Sequence, residues 1–128
     1  MIVLDTHAWI WWTAGAPELP VEVRTRIDAE DEVFVSPICC WEVAMLVEKG
    51  RIDLGRQPLS WVRLAFSKPA TRLAALTPEI AVIAGQLGGG FHGDPADRLI
   101  VATARQLRAP LVTSDERIRR SGLVETVW

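Results

Sequence analysis

The sequence predicts one α/β domain over residues 1–128, with a central parallel sheet of about five strands and helices on both faces. Three observations carry this expectation. A short apolar run, Met1 to Leu4, ends abruptly in the carboxylate of Asp5 and the hydroxyl of Thr6. Four apolar residues in a row suit a strand covered on both faces, although periodicity alone does not separate such a run from a buried helix. Strand-like and helix-like segments then alternate along the chain, the pattern of parallel strands joined by helical crossovers. Finally, 128 residues with 49% hydrophobic content are enough for one substantial core and leave no room for a second domain.

Taken in order, Ala8 to Trp12 continues apolar and helical until the Gly15-Ala16-Pro17 break. Pro20 restarts a helix from Val21 to Ala29, with Val23 and Ile27 four apart on one face. The acids that follow, Asp28, Glu30, Asp31 and Glu32, read as a solvated helix end. Val33-Phe34-Val35 is the second strand, and Ser36-Pro37 supplies a cap and a first-turn proline for the next helix. From Ile38 to Val47 every residue but Glu42 is apolar, so this helix is expected to be buried nearly all round. Gly50 ends it, and Pro58 to Phe66 forms a shorter structural helix over the core.

Leu73 to Leu76 is expected to be a weak third strand, and Thr77-Pro78-Glu79 caps a helix through Leu87. The Gly88-Gly89-Gly90 run reads as a flexible connection and lacks the Lys-Ser or Lys-Thr of a phosphate loop. Asp94-Pro95-Ala96-Asp97-Arg98 opens a helix that continues from Leu99 to Leu107. Pro110 to Thr113 is the next strand, Glu116 to Arg120 a basic helix closed by Gly122, and Val124 to Val127 the last strand.

Charge and cysteine usage narrow the function classes. A formal charge of -2 from 14 basic and 16 acidic residues announces no overall affinity for nucleic acid. Locally the balance changes, because Arg98 to Trp128 carries six Arg against three acids. Cys39 and Cys40 are adjacent in an apolar run, where they cannot staple distant segments and behave as small hydrophobes. No signal-like segment precedes Asp5, and no stretch reaches the ~18 uncharged apolar residues of a membrane span. The expectation is a soluble, cytoplasmic protein in a reduced setting, with no membrane partner.

In an open parallel sheet the carboxyl ends of all strands share one edge, where ligands bind. Asp5 and Asp115 follow apolar strands, and Asp94 and Asp97 open the helix that leads into the Asp115 strand. Glu42 is harder to place, because it lies about 8 to 9 Å along its helix axis from Ser36 and reaches that edge only if the helix tilts. A carboxylate in an apolar helix requires a metal, an Arg or solvent beside it. For Asp94 the competing role is that of an N-cap, with Pro95 in the first turn. For Asp97 capping is a partial explanation only, since capping boxes favour Glu or Gln there.

Several acids, with no nucleophilic Ser or Cys setting and no His-Cys zinc spacing, point to hard-cation chemistry with Mg²⁺ or Mn²⁺ and a phosphate substrate. A haloacid-dehalogenase phosphatase needs a second Asp two residues after Asp5, where His7 stands. A receiver domain needs an acidic pair and a late Lys, whereas the only lysines are Lys49 and Lys68. An unrelated metal-dependent phosphatase and a non-catalytic binding module, its acids serving as caps and ion pairs, stay open.

Asp5-Thr6-His7-Ala8, Ser36 with Trp41-Glu42-Val43, Asp94-Pro95-Ala96-Asp97-Arg98-Leu99-Ile100 with Ala102-Thr103-Ala104, and Thr113-Ser114-Asp115 together resemble a PIN-domain ribonuclease, specifically a VapC-type toxin. The resemblance spans nearly the whole chain. It implies a PIN-like fold and an Mg²⁺- or Mn²⁺-dependent endoribonuclease, the toxin of a toxin–antitoxin pair, usually dimeric and silenced by a cognate antitoxin. The residues matching the family's acidic quartet are Asp5, Glu42, Asp97 and Asp115. In that reading Asp5 and Asp97 hold the metal, Glu42 ligates or orients the attacking water, Asp115 completes the site, and Asp94 is an extra acid.

The Arg-rich end suits phosphate contacts, for which Arg98, Arg117, Arg119 and Arg120 are candidates, a solvated helix face being the alternative. His7 and His92 are expected to be structural more than phosphate-binding. Trp9, Trp11, Trp12, Trp41, Trp61 and Trp128 read as core and interface aromatics more than base-stacking platforms, with Trp11 or Trp12 as an anchor for a dimer or the antitoxin.

Overall fold

A computed structural model describes residues 1–88, 91 and 93–128. His92 and the Gly89-Gly90 part of the glycine run therefore lie outside the described residues. Five strands alternate with helices: β1 (Ile2–Leu4), α1 (Thr6–Ala14), α2 (Val21–Asp28), β2 (Val33–Val35), α3 (Pro37–Glu48), α4 (Pro58–Phe66), β3 (Thr71–Leu73), α5 (Pro78–Gln86), α6 (Pro95–Leu107), β4 (Leu111–Val112), α7 (Glu116–Ser121) and β5 (Thr126–Val127). The sheet runs β3-β2-β1-β4-β5, and every pairing is parallel. All five carboxyl ends consequently share one edge. The chain winds outward from β1 through β2 to β3, then returns to the other side of β1 for β4, which puts the crevice at the point of reversal between β1 and β4.

Ile2, Val3 and Leu4 are all fully buried. Because successive strand side chains point to opposite faces, burial of all three means that both faces of β1 are covered. Each contributes up to about 1.5–3 kcal/mol of apolar burial, an upper bound set by an extended unfolded chain. Trp9 is the largest fully buried side chain and packs edge-on against Trp61 and beside Phe66, so α4 closes over α1. Val23 and Ile27 bury the apolar face of α2 as their spacing predicts. Among the described residues no helix is long and apolar enough to cross a membrane.

Several local expectations are corrected. The third strand is Thr71–Leu73, not Leu73 to Leu76, because pairing of Val33 with Thr71 fixes the register and the chain leaves the sheet after Leu73. Leu73 and Leu76 stand exposed at this sheet edge, so apolar sequence there did not mean core. Helix α3 is buried on one face only, through Cys39, Val43 and Leu46, while Trp41 and Ala44 face outward. Of the acids at the end of α2, Asp28, Asp31 and Glu32 are exposed as expected, but Asp28 also accepts from the Trp12 indole N–H at 2.8 Å, and Glu30 pairs with the amino terminus and Arg26. Trp12 is accordingly core and too buried to anchor a partner, whereas Trp11 is half-buried against Trp128 and His7.

Two arginines are used on helix ends, whose last carbonyls have no partner within the helix. Arg24 donates to the carbonyls of Trp11 and Trp12 in the last turn of α1 and of Ala16 just beyond it. Arg98 does the same for α5, donating to the carbonyls of Ala84, Gly85, Leu87 and Phe91 at 2.9 to 3.4 Å. That clamp corrects the placement of Arg98 on a phosphate-binding rim, since its donors are turned onto backbone oxygens between α5 and α6.

Candidate active site

The sheet edge, the starts of α1, α6 and α7 and the middle of α3 build one cleft of about 290 Å³, lined by Asp5, Thr6, His7, Glu42, Asp94, Asp97, Ile100, Ser114 and Asp115. All four acids of the quartet are brought together, with Asp94 beside them. Three of the five acids are N-caps. Asp5 accepts from the Ala8 amide at 2.9 Å at the start of α1, Asp94 from the Asp97 amide at 2.8 Å, and Asp115 from the Arg117 amide at 2.8 Å at the start of α7. For Asp5 and Asp115 capping and placement in the cleft coincide because α1 and α7 begin where β1 and β4 end, at the ligand edge; α6 follows another helix, α5, and its cap Asp94 lines the same cleft.

Glu42 reaches the cleft from the middle of α3 and is half-buried. Its Oε1 accepts from the hydroxyl of Thr6, a buried residue at the first position of α1. Its partial exposure supplies the solvent access that was one of the three possibilities, and a threonine next to Asp5 adds a protein partner that was not among them. Thr113, fully buried at the end of β4, holds the Asp115 amide through its hydroxyl at 3.0 Å. Both threonines stood in the motifs read from sequence, but their roles as holders of Glu42 and Asp115 were not foreseen. Their only signal was a hydroxyl residue at each strand end, next to Asp5 and two residues before Asp115.

Crowding shapes the charges. Burial pushes the Asp97 carboxyl up to about 7, reinforced by the negative charges of Asp94, Asp115 and Glu42 and opposed by Arg117. Asp5 is also raised, by burial first, with the Thr113 hydroxyl, the Ala8 amide and His7 pulling the other way and Glu42 adding to the rise. Asp115 is partly desolvated too, but the Arg117 guanidinium and the amides of Ile118 and Arg117 outweigh that and hold it below the ordinary carboxylate range. Arg117 lies across two acids, its guanidinium 3.4 Å from Asp97 Oδ2 and 3.3 Å from Asp115 Oδ2. Arg119 and Arg120 both pair with Glu116 on the outer face of α7.

The five acids offer oxygen donors, which suit Mg²⁺ or Mn²⁺, and His7 adds a ring nitrogen to the lining. The carboxylates are not yet gathered tightly, since no three His, Cys, Asp or Glu donors among the described residues stand close enough together to hold an ion as they are. Arg117 supplies the positive charge between Asp97 and Asp115 in this arrangement.

Comparison with known proteins decides the family. A profile described as the PIN domain matches residues 2–122. Ribonuclease VapC22 of Mycobacterium tuberculosis is 39% identical over 129 aligned positions, covering 99% of this chain and 98% of that protein. The chain belongs to the PIN-domain family, VapC type. Its fold is shared with a DNA-bound VapBC complex from Salmonella typhimurium (TM-score 0.72, 20% identity, 98% of this chain and 96% of that one). A toxin–antitoxin complex from Klebsiella pneumoniae matches similarly (TM-score 0.71, 20% identity, 100% and 97%). Within this PIN domain, the cleft at the β1–β4 crevice is where the family-matching acids meet.

Proposed function

We propose that this PIN domain is a metal-dependent endoribonuclease, the toxin of a toxin–antitoxin pair, hydrolysing RNA phosphodiester bonds at the acidic cleft. The observation that carries the reading is the meeting of Asp5, Glu42, Asp97 and Asp115, from four separate elements, in one open cleft. A relative named as a ribonuclease and structural neighbours named as toxin–antitoxin complexes support it.

Asp5 and Asp97 would hold Mg²⁺ or Mn²⁺, with Asp115 completing the set once Arg117 yields. When bound, the ion neutralises charge on the phosphate and acidifies water. Glu42 is held at Oε1 by Thr6, which leaves Oε2 to take the proton of the attacking water. Arg119 and Arg120, each paired with Glu116 and Arg120 the more exposed, would serve as phosphate contacts in this reading. The partners in this reading are RNA, a cognate antitoxin and a second copy of the chain, and the setting is the cytoplasm.

A binding module without catalysis is the second reading. The observation in its favour is Arg117 bridging Asp97 and Asp115. One experiment separates the two: purified protein is incubated with RNA in Mg²⁺, Mn²⁺ or EDTA. Cleavage in the metals and none in EDTA supports the nuclease. Intact RNA under all three conditions supports the module.

A further inference from the structure

The acidic cleft continues past Glu42. A second depression, of about 590 Å³, opens between α3 and the start of α6, and Glu42 and Asp94 line both. Met45 and Pro95 give it apolar walls, and Trp41 borders it with 56% of its surface exposed. No aromatic among the described residues stacks on the Trp41 ring. Lys49 and Arg51 line the far end, both exposed and neither in an ion pair among the described residues. Lys49 lies about 12 Å beyond Trp41 along the helix direction.

The succession along one continuous groove is carboxylates, then a free aromatic face on an apolar wall, then two free cations. Single-stranded nucleic acid carries the complementary groups, since bases stack on aromatic rings and phosphates pair with Lys and Arg. An apolar peptide would match the walls but not the two cations. We infer that this groove holds nucleotides flanking the scissile bond of single-stranded RNA, a base stacked on Trp41 and phosphate on Lys49 and Arg51. The choice of RNA rests on the ribonuclease reading above. Trp41, being exposed, is not a core group, and here it takes the base-stacking role that the sequence reading ranked below core or interface.

The test is fluorescence anisotropy with a labelled single-stranded oligoribonucleotide of about 12 nucleotides in EDTA, a length within the usual site sizes. The same oligonucleotide is then assayed for cleavage in Mg²⁺. Trp41 is exposed on a helix, so Trp41→Ala keeps the fold, which a melting curve checks. Trp41→Ala is expected to weaken binding about tenfold, the scale of one lost base stack, and Trp41→Phe to retain most of it. Replacing Lys49 and Arg51 together by Gln should flatten the dependence of log affinity on log salt by about 1.4, two phosphate contacts on a single strand.

Undiminished binding by Trp41→Ala, or no binding by the wild-type chain, overturns the inference. So does a Trp41→Ala effect confined to self-association in sedimentation, or to capture of an antitoxin tail peptide, with RNA affinity unchanged. Trp41-dependent binding without cleavage would sink the nuclease reading and leave the groove standing. Cleavage with Trp41-independent binding would do the opposite.

Discussion

The Thr6 hydroxyl donates to Glu42 Oε1 and so ties the first turn of α1 to the middle of α3 beside Asp5. Thr6→Val removes that donor from a buried position while keeping the shape. Glu42 is half-buried, so water replaces part of the bond, and stability should change by no more than about 1 kcal/mol. Activity is expected to fall about tenfold in kcat/KM, equivalent to about 1.4 kcal/mol, because Oε2 loses its fixed aim. Thr6→Ser should retain activity. Equal rates for wild type and Thr6→Val would show that Glu42 needs no such support.

Asp94 and Asp97 answer to different demands. The Asp94 side chain caps α6 by accepting from the Asp97 amide. Asp94→Ser keeps an acceptor there and should lose well under ~1 kcal/mol, with most activity retained. Asp97→Ser should melt no lower than wild type in the metal-free state but lose metal affinity and cleavage. Metal titration and RNA cleavage on both variants check this, and equal losses in the two would make Asp94 a ligand as well.

Stability of the metal-free protein should depend on pH in an unusual direction. Asp97 titrates near about 7 in the folded chain, against about 3.9 when unfolded. A carboxyl raised in this way stabilises the fold when protonated, fully below the unfolded value, and that contribution is lost as pH rises through the folded one. Asp5 is raised and has the same sign, while Asp115 and Glu30 are lowered and act only at more acidic pH. Melting temperature in EDTA is therefore expected to rise as pH falls from 8 to 5. Added Mg²⁺ should stabilise at pH 8 and much less at pH 5, since the ion needs the ionised carboxylate. A melting temperature in EDTA that falls steadily over that range would contradict the crowding of acids around Asp97.

Arg117 competes for the same oxygens as a cation. Arg117→Gln should tighten Mn²⁺ binding several-fold in calorimetry while lowering the melting temperature of the metal-free protein, which loses its counter-charge. Weaker Mn²⁺ binding would mean that Arg117 helps assemble the site.

Asp5 and Asp115 were legible because each follows an apolar run, and in a parallel sheet such runs end at one edge. Glu42 stood out as the single acid in an apolar helix, but its partner did not, because Thr6 meets it across 36 positions of sequence. The burial of that helix was overestimated, as Trp41 shows, because apolar residues are free to stand on a surface whereas charged ones are rarely free to stand inside. Arg98 and Arg117 looked alike in sequence. One clamps carbonyls between two helices and the other bridges two acids, a difference set by tertiary distances that composition does not carry.

The central claim is that carboxylates in this cleft drive metal-dependent RNA hydrolysis, and Asp5→Asn tests it most directly. Asparagine keeps the shape and an oxygen to cap α1 at Ala8 while removing the charge. Compared with wild type on the same RNA in Mg²⁺ and in Mn²⁺, the variant should cleave no faster than the EDTA control, and without metal it should melt no lower than wild type. Cleavage by Asp5→Asn at the wild-type rate would contradict the assignment of the acidic cleft as the catalytic centre.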